Sequence, residues 1–174
     1  MKRITVGVLS FAMLTCLAAV ASAQRNPRGT TKLTLNGQTV SVEYGRPSLH
    51  GRSVEQMLSQ LKAGQVWRLG ADKSTTFSTG IDLAFGNVTV PKGDYSLWAR
   101  KEANNSWQLV FNKQHGQWGT QHDAAQDFAS VPLKESKLSS PAEMVTISLA
   151  KEGAGGMISI EWGDMKLATD FKAK

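Results

Sequence analysis

Apolar and polar residues alternate with a period of two along most of this chain. Leu33 and Leu35 flank Thr34, and Val40, Val42 and Tyr44 flank Ser41 and Glu43. Further on, Trp107, Leu109 and Phe111 are set against Gln108, Val110 and Asn112, and Val145, Ile147, Leu149 and Ile158, Ile160, Trp162 repeat the rhythm. Successive strand side chains point to opposite faces, so this rhythm predicts half-buried strands. Asn36-Gly37 separates the first two runs, and both residues accept the positive φ of a type I′ hairpin turn. Leu33, Leu35, Val40, Val42 and Tyr44 would then share the inner face.

Further strands are predicted at 66–69, 74–79, 81–85, 88–90, 95–101, 107–112, 145–149, 158–162 and 165–167. Turn residues divide them at Gly86-Asn87, Pro91 to Asp94, Asn104-Asn105, Gly153 to Gly156 and Gly163-Asp164. About ten short strands at roughly 8–12-residue spacing predict an all-β fold, an antiparallel β-sandwich or a flattened barrel. One stretch breaks the pattern. Val54, Met57, Leu58 and Leu61 recur at helical spacing, with Ser53 as N-cap and Gly64 as stop, which predicts one short helix near 53–62. Asp123 to Phe128 has room for a single helical turn.

The N-terminus has a different character. Lys2 and Arg3 precede an apolar run from Ile4 to Val20, and Ala21-Ser22-Ala23 forms a small-residue cleavage site. This reads as a signal peptide over 1–23, cleaved after Ala23, with export to the periplasm or beyond the cell. The run is too short for a comfortable spanning helix, so no transmembrane helix is expected in the mature chain. Residues 24–30 read as a flexible lead-in and 31–174 as a single domain. Cys16, the one cysteine, lies in the leader. The mature chain therefore has no disulfide and no thiol nucleophile. About 150 residues bury one core without such staples.

Charge changes little. Without Lys2 and Arg3 the 20 basic residues fall to 18 against 14 acidic, a net +4, and they are scattered rather than clustered. Nucleic acid is not an expected partner.

Candidate chemistry gathers at strand ends between Val42 and Phe77, where Glu43, Tyr44, Arg46 and Arg68 fall beside Gly-Arg-Pro and Gly-Ala-Asp breaks. His50, His115 and His122 show no HxH, HxxxH or HExxH spacing, so neither a metal nor another cofactor is expected. No Gly-x-Ser-x-Gly elbow is present. Ser59 to Lys62 matches Ser-x-x-Lys in letters alone, without companion motifs. Glu43 and Asp72, or Glu161, would suit a glycosidase pair, but strand alternation turns Glu43 and Glu161 away from the apolar face. A salt bridge from Glu43 to Arg46 or Arg68 is the plainer reading. Trp67, Trp98, Trp107, Trp118 and Trp162 are many for a chain of this size. Trp107 and Trp162 alternate cleanly and belong to the core, whereas Trp118 sits in irregular chain. Aromatic rings and arginine forks bind sugars, apolar groups and carboxylates. The candidate pocket is therefore Tyr44, Arg46, Arg68, Asp72, Lys113, His115 and Trp118, for a small-molecule or carbohydrate ligand.

Several phrases in order resemble an exported bacterial family of unknown function, DUF2911. They are Val42-Glu43-Tyr44-Gly45-Arg46-Pro47, Val66 to Asp72 with Thr75-Thr76, and Pro91 to Leu97. Trp107 with Phe111-Asn112-Lys113, Gln117-Trp118-Gly119 and Glu161-Trp162 complete the set. The family pattern usually has Asn at Asp72 and a Tyr near His122, so this chain departs from it at both positions. The resemblance implies an exported β-rich fold and no particular activity. On the residues, a non-catalytic binding or structural module is expected. The alternatives are a hydrolase of envelope glycans or small esters using Glu43 or Asp72 with a histidine, and an assembly subunit with an open sheet edge.

Overall fold

The computed structural model describes residues 26–174, so the leader, its cleavage site and Cys16 lie outside the described residues. Arg28–Leu35 (β1) and Gln38–Gly45 (β2) pair across Asn36-Gly37, whose φ angles of 50° and 75° are both positive, as the Asn-Gly turn requires. β1 begins at Arg28, inside the stretch read as a flexible lead-in, because Arg28, Gly29 and Thr30 find partners in Gly45, Tyr44 and Glu43. The remaining strands are Val66–Trp67 (β3), Thr75–Thr79 (β4), Leu83–Phe85 (β5), Val88–Val90 (β6), Gly93–Lys101 (β7), Trp107–Asn112 (β8), Asp127–Glu152 (β9) and Gly155–Ala173 (β10).

All pairings are antiparallel, in the order β1-β2-β4-β7-β8-β9-β10-β5-β6, with β3 on β7. The path ends at β1 and β6 and does not close into a barrel. The fold is an all-β sandwich made by bending one continuous sheet. The bend is β9. Its first part, Asp127 to Leu133, pairs with β8, and its later part, from Lys134 onward, pairs with β10. The far half of β9 then lies against the first hairpin, held by side chains in place of a backbone ladder. Leu149 N donates to Thr31 Oγ1 at 3.2 Å and Tyr44 Oη donates to Ile147 O at 3.1 Å.

One core fills the space between the layers. Phe111 meets Phe77, Phe85 and Tyr95 at ring distances of 5.5, 5.1 and 6.1 Å. At the other end Trp67 stacks on Trp162 at 5.6 Å and meets Trp107 edge-on at 6.4 Å. Such pairs add about 0.5–1.5 kcal/mol each beyond area burial. Trp107 and Trp162 are core residues, as their alternation indicates.

Two further expectations change. The helix, α1, spans Val54–Leu58 rather than 53–62; Ser53 and Gln56 form a reciprocal capping box. One turn suffices because Met57, Leu58 and Leu61 pack on the core from the turn that follows as well as from the helix. The last three predicted strands are in fact the two long strands β9 and β10, and Gly163-Asp164 is not a turn. It is an irregularity inside β10, with the register shifting on both sides of Gly163 (φ 59°). Glycine before a polar residue serves a bulge as well as a turn, so the letters alone do not separate them. The tertiary reason is α1: a Cβ on Gly163 would lie 3.1 Å from Val54 Cβ.

Candidate functional site

β3 and β4 lie along the same side of β7, and the chain between them, Arg68 to Ser74, leaves the sheet. Its base is tied by Thr75, whose hydroxyl donates to Arg68 O at 3.2 Å and lies 3.3 Å from Leu69 O. Leu69 (φ 54°) and Asp72 (φ 62°) hold the left-handed conformations that turn it. The excursion packs tightly. A Cβ on Gly45 would stand 2.1 Å from Ala71 O, and Gly119 N donates to Asp72 O at 2.7 Å.

The sheet's outer face beside this excursion is also covered. On β7 and β8 the outward residues Ser96, Trp98, Val110 and Asn112 are all buried, because the chain from Lys113 to Gln126 lies over them. Buried polar groups require partners, and here they tie the covering chain down. Trp98 Nε1 donates to Ser96 Oγ at 2.8 Å, Gln117 Nε2 donates to the same oxygen at 3.3 Å, and Ser74 Oγ donates to Gln117 Oε1 at 3.2 Å. Asn112 Nδ2 donates to Asp123 O and to Asp127 Oδ1, each at 2.8 Å, and its Oδ1 accepts from Gln114 N at 2.9 Å. His122 Nε2 lies 2.9 Å from Asp127 Oδ1. A carboxylate oxygen accepts, so this nitrogen donates. The imidazole rests on Trp98, with ring centroids 4.7 Å apart.

His122 stands at the meeting of two hollows. One, of about 480 Å³, is lined by Met57, Leu58, Leu61, Val66, Arg68 and Thr120 among others, with Trp98 at its floor. The other, of about 560 Å³, is lined by Gln65, Arg100, Ala124 and Asp127. Leu61, Val66 and His122 border both, so the two form one groove along β3. Either volume lies within the range of about 300–1,000 Å³ typical of ligand clefts. A third hollow, at Val54, Trp107 and Met165, has no histidine or arginine and only about 300 Å³.

The predicted pocket residues are distributed around this arrangement. Arg68 lines the groove. Asp72 and Trp118 flank it: Asp72 Oδ2 accepts from Asn26 N at 3.1 Å, and Trp118 bridges to Lys73 with 47 % of its surface exposed. Tyr44 is in the core, and Arg46 is committed to β9, donating from Nε to Val145 O and from a terminal nitrogen to Thr146 Oγ1, both at 3.2 Å. Lys113 lies over the Phe128 ring at 5.3 Å, and His115 is exposed. Glu43 pairs with Arg28 at 2.8 Å, not with Arg46 or Arg68, and Glu161 pairs with Lys166 at 3.2 Å. Among the described residues no three His, Cys, Asp or Glu side chains converge on a metal position, and no helix is long and apolar enough to cross a membrane.

The reading from sequence missed His122, Trp98 and Asn112. A signal for two of them was present. Alternation fails over Tyr95 to Ala99, the near-continuous apolar run of a strand buried on both faces. His122 falls where the family pattern usually has Tyr.

The class of protein is thus an all-β sandwich with a groove under a tethered outer loop. The family is shown: a model described as "Protein of unknown function (DUF2911)" matches residues 26–171, and the chain belongs to that family. No curated protein and no solved structure matches it.

Proposed function

We propose that this chain is a non-catalytic binding module of the cell envelope, exported by its N-terminal leader, that holds a small molecule in the groove beside His122. The observation that carries this reading is the groove's construction. Its walls are half-buried apolar side chains, while two of its polar groups, Arg68 and His122, are each oriented by a side-chain hydrogen bond. Polar groups held in place by hydrogen bonds and packing are what a binding site needs. The test is a titration of the ¹⁵N-labelled protein with a small-molecule library. Shifts confined to the groove, at Leu58, Leu61, Val66, Arg68, Arg100 and Gly119 to Asp127, support the reading; shifts elsewhere, or none, remove it.

A hydrolase of envelope glycans or small esters is the second reading, favoured by the His122–Asp127 pair. That pair orients a base, but among the described residues no hydroxyl bonds the imidazole. Turnover of p-nitrophenyl acetate that vanishes in His122→Asn would establish it.

A further inference from the structure

We propose that the ligand is an amphiphilic monocarboxylate, its head on Arg68 and its apolar body along Leu58, Leu61 and Val66. The proposal rests on the groove being a binding site and names the chemistry that would fill it. Arg68 is the pivot. Its Nε donates to Gly70 O at 3.1 Å, while its terminal nitrogens have no acceptor among the described residues. Its stem is held by Gly119, where a Cβ would approach Arg68 Cδ to 2.9 Å. The guanidinium fork is therefore positioned and unspent at one end of the groove. A fork of this kind matches a carboxylate.

Charge selects a single negative head. The other guanidinium, Arg100, has its charge paired with the Glu102 carboxylate through Nε at 2.9 Å, whereas Arg68 bonds only a neutral carbonyl, and the Asp127 carboxylate borders the groove beside His122. Among the described residues, a dianionic phosphate in the groove would meet one cation without a carboxylate partner, Arg68, and a carboxylate, Asp127. The walls argue against a sugar. Trp98 is 2 % exposed and Trp67 7 %, so neither offers a ring face for stacking, and Trp118 does not line the groove. What the walls do offer is aliphatic: Met57, Leu58 and Leu61 pack on the core with one side and face the groove with the other.

The experiment is isothermal titration of the purified protein with decanoate, decan-1-ol and acetate at neutral pH. Decanoate binding about tenfold or more tighter than decan-1-ol is expected, since a charge-assisted fork is involved, with acetate showing no binding. Arg68→Gln should bring decanoate down to the decan-1-ol level, Arg68→Lys should retain part of the preference, and Leu61→Asn should weaken both. Circular dichroism checks that each variant is folded. If Arg68→Gln does not fold, the Arg68 Nε–H resonance of the wild type takes its place, shifting with decanoate and not with decan-1-ol. Equal binding of the two amphiphiles, or an unaltered preference in Arg68→Gln, overturns the proposal. If neither binds while another small molecule shifts Arg68 and His122, the amphiphile is excluded and the groove reading stands; if nothing binds, both fall.

Discussion

The imidazole of His122 lies 4.7 Å from the indole of Trp98, inclined at 54°, and shields a tryptophan that points away from the core. This contact joins the covering loop to the sheet and sets the groove's floor. His122→Ala should cost about 1 kcal/mol, the worth of an aromatic contact plus part of a hydrogen bond. It should also uncover Trp98, read as increased acrylamide quenching. Unchanged quenching in a folded variant would show that the loop covers Trp98 without the histidine.

Asn112 is the stronger anchor. All three of its bonds go to the chain between Gln114 and Asp127. Asn112→Ala leaves Asp123 O and the Asp127 carboxylate short of a buried donor, at a cost of about 2–4 kcal/mol in urea unfolding. Hydrogen exchange over 114–126 should accelerate ahead of the core strands. Loss of protection everywhere at once would mean that the loop is not a separate unit.

Gly45→Ala tests the contact between β2 and the Arg68–Ser74 excursion. The new methyl would fall on backbone, 2.1 Å from Ala71 O, where no side chain can move aside. A loss of at least about 2 kcal/mol follows, at the upper end for overpacking. A fully stable Gly45→Ala protein would show that the excursion shifts freely.

Glu143 supplies a pH-dependent tie between β9 and the chain after β2. The Ser48 hydroxyl and the His50 N–H both donate to it and hold its pKa below the ordinary 4.5. A carboxylate with a depressed folded pKa stabilises above its unfolded value and loses that contribution as pH falls through the folded one. The His50 amide proton shift should therefore titrate below pH 4.5 in the wild type. Glu143→Gln should abolish that titration.

Trp118→Ala should be nearly neutral, within about 0.5 kcal/mol, because its ring is half exposed and its attachment to Lys73 is through backbone. A large loss of thermal stability would make it a structural residue instead.

What could be read from the chain and what could not divide along a physical line. Period-two alternation and Asn-Gly are local properties, and they determined the all-β class, the first hairpin and the core roles of Trp107 and Trp162. The capping residues located α1, and the ordered phrases from Val42 to Trp162 located the family. None of these depends on which strand lies beside which. The bend along β9 does, because only pairing with β8 and then β10 makes one strand serve two layers. The bulge at Gly163 does, because Val54 arrives there from a distant helix. The groove depends on it most. His122, Trp98, Asn112 and Arg68 meet through side chains crossing from a loop to the outer face of a sheet, and no sequence spacing encodes that meeting.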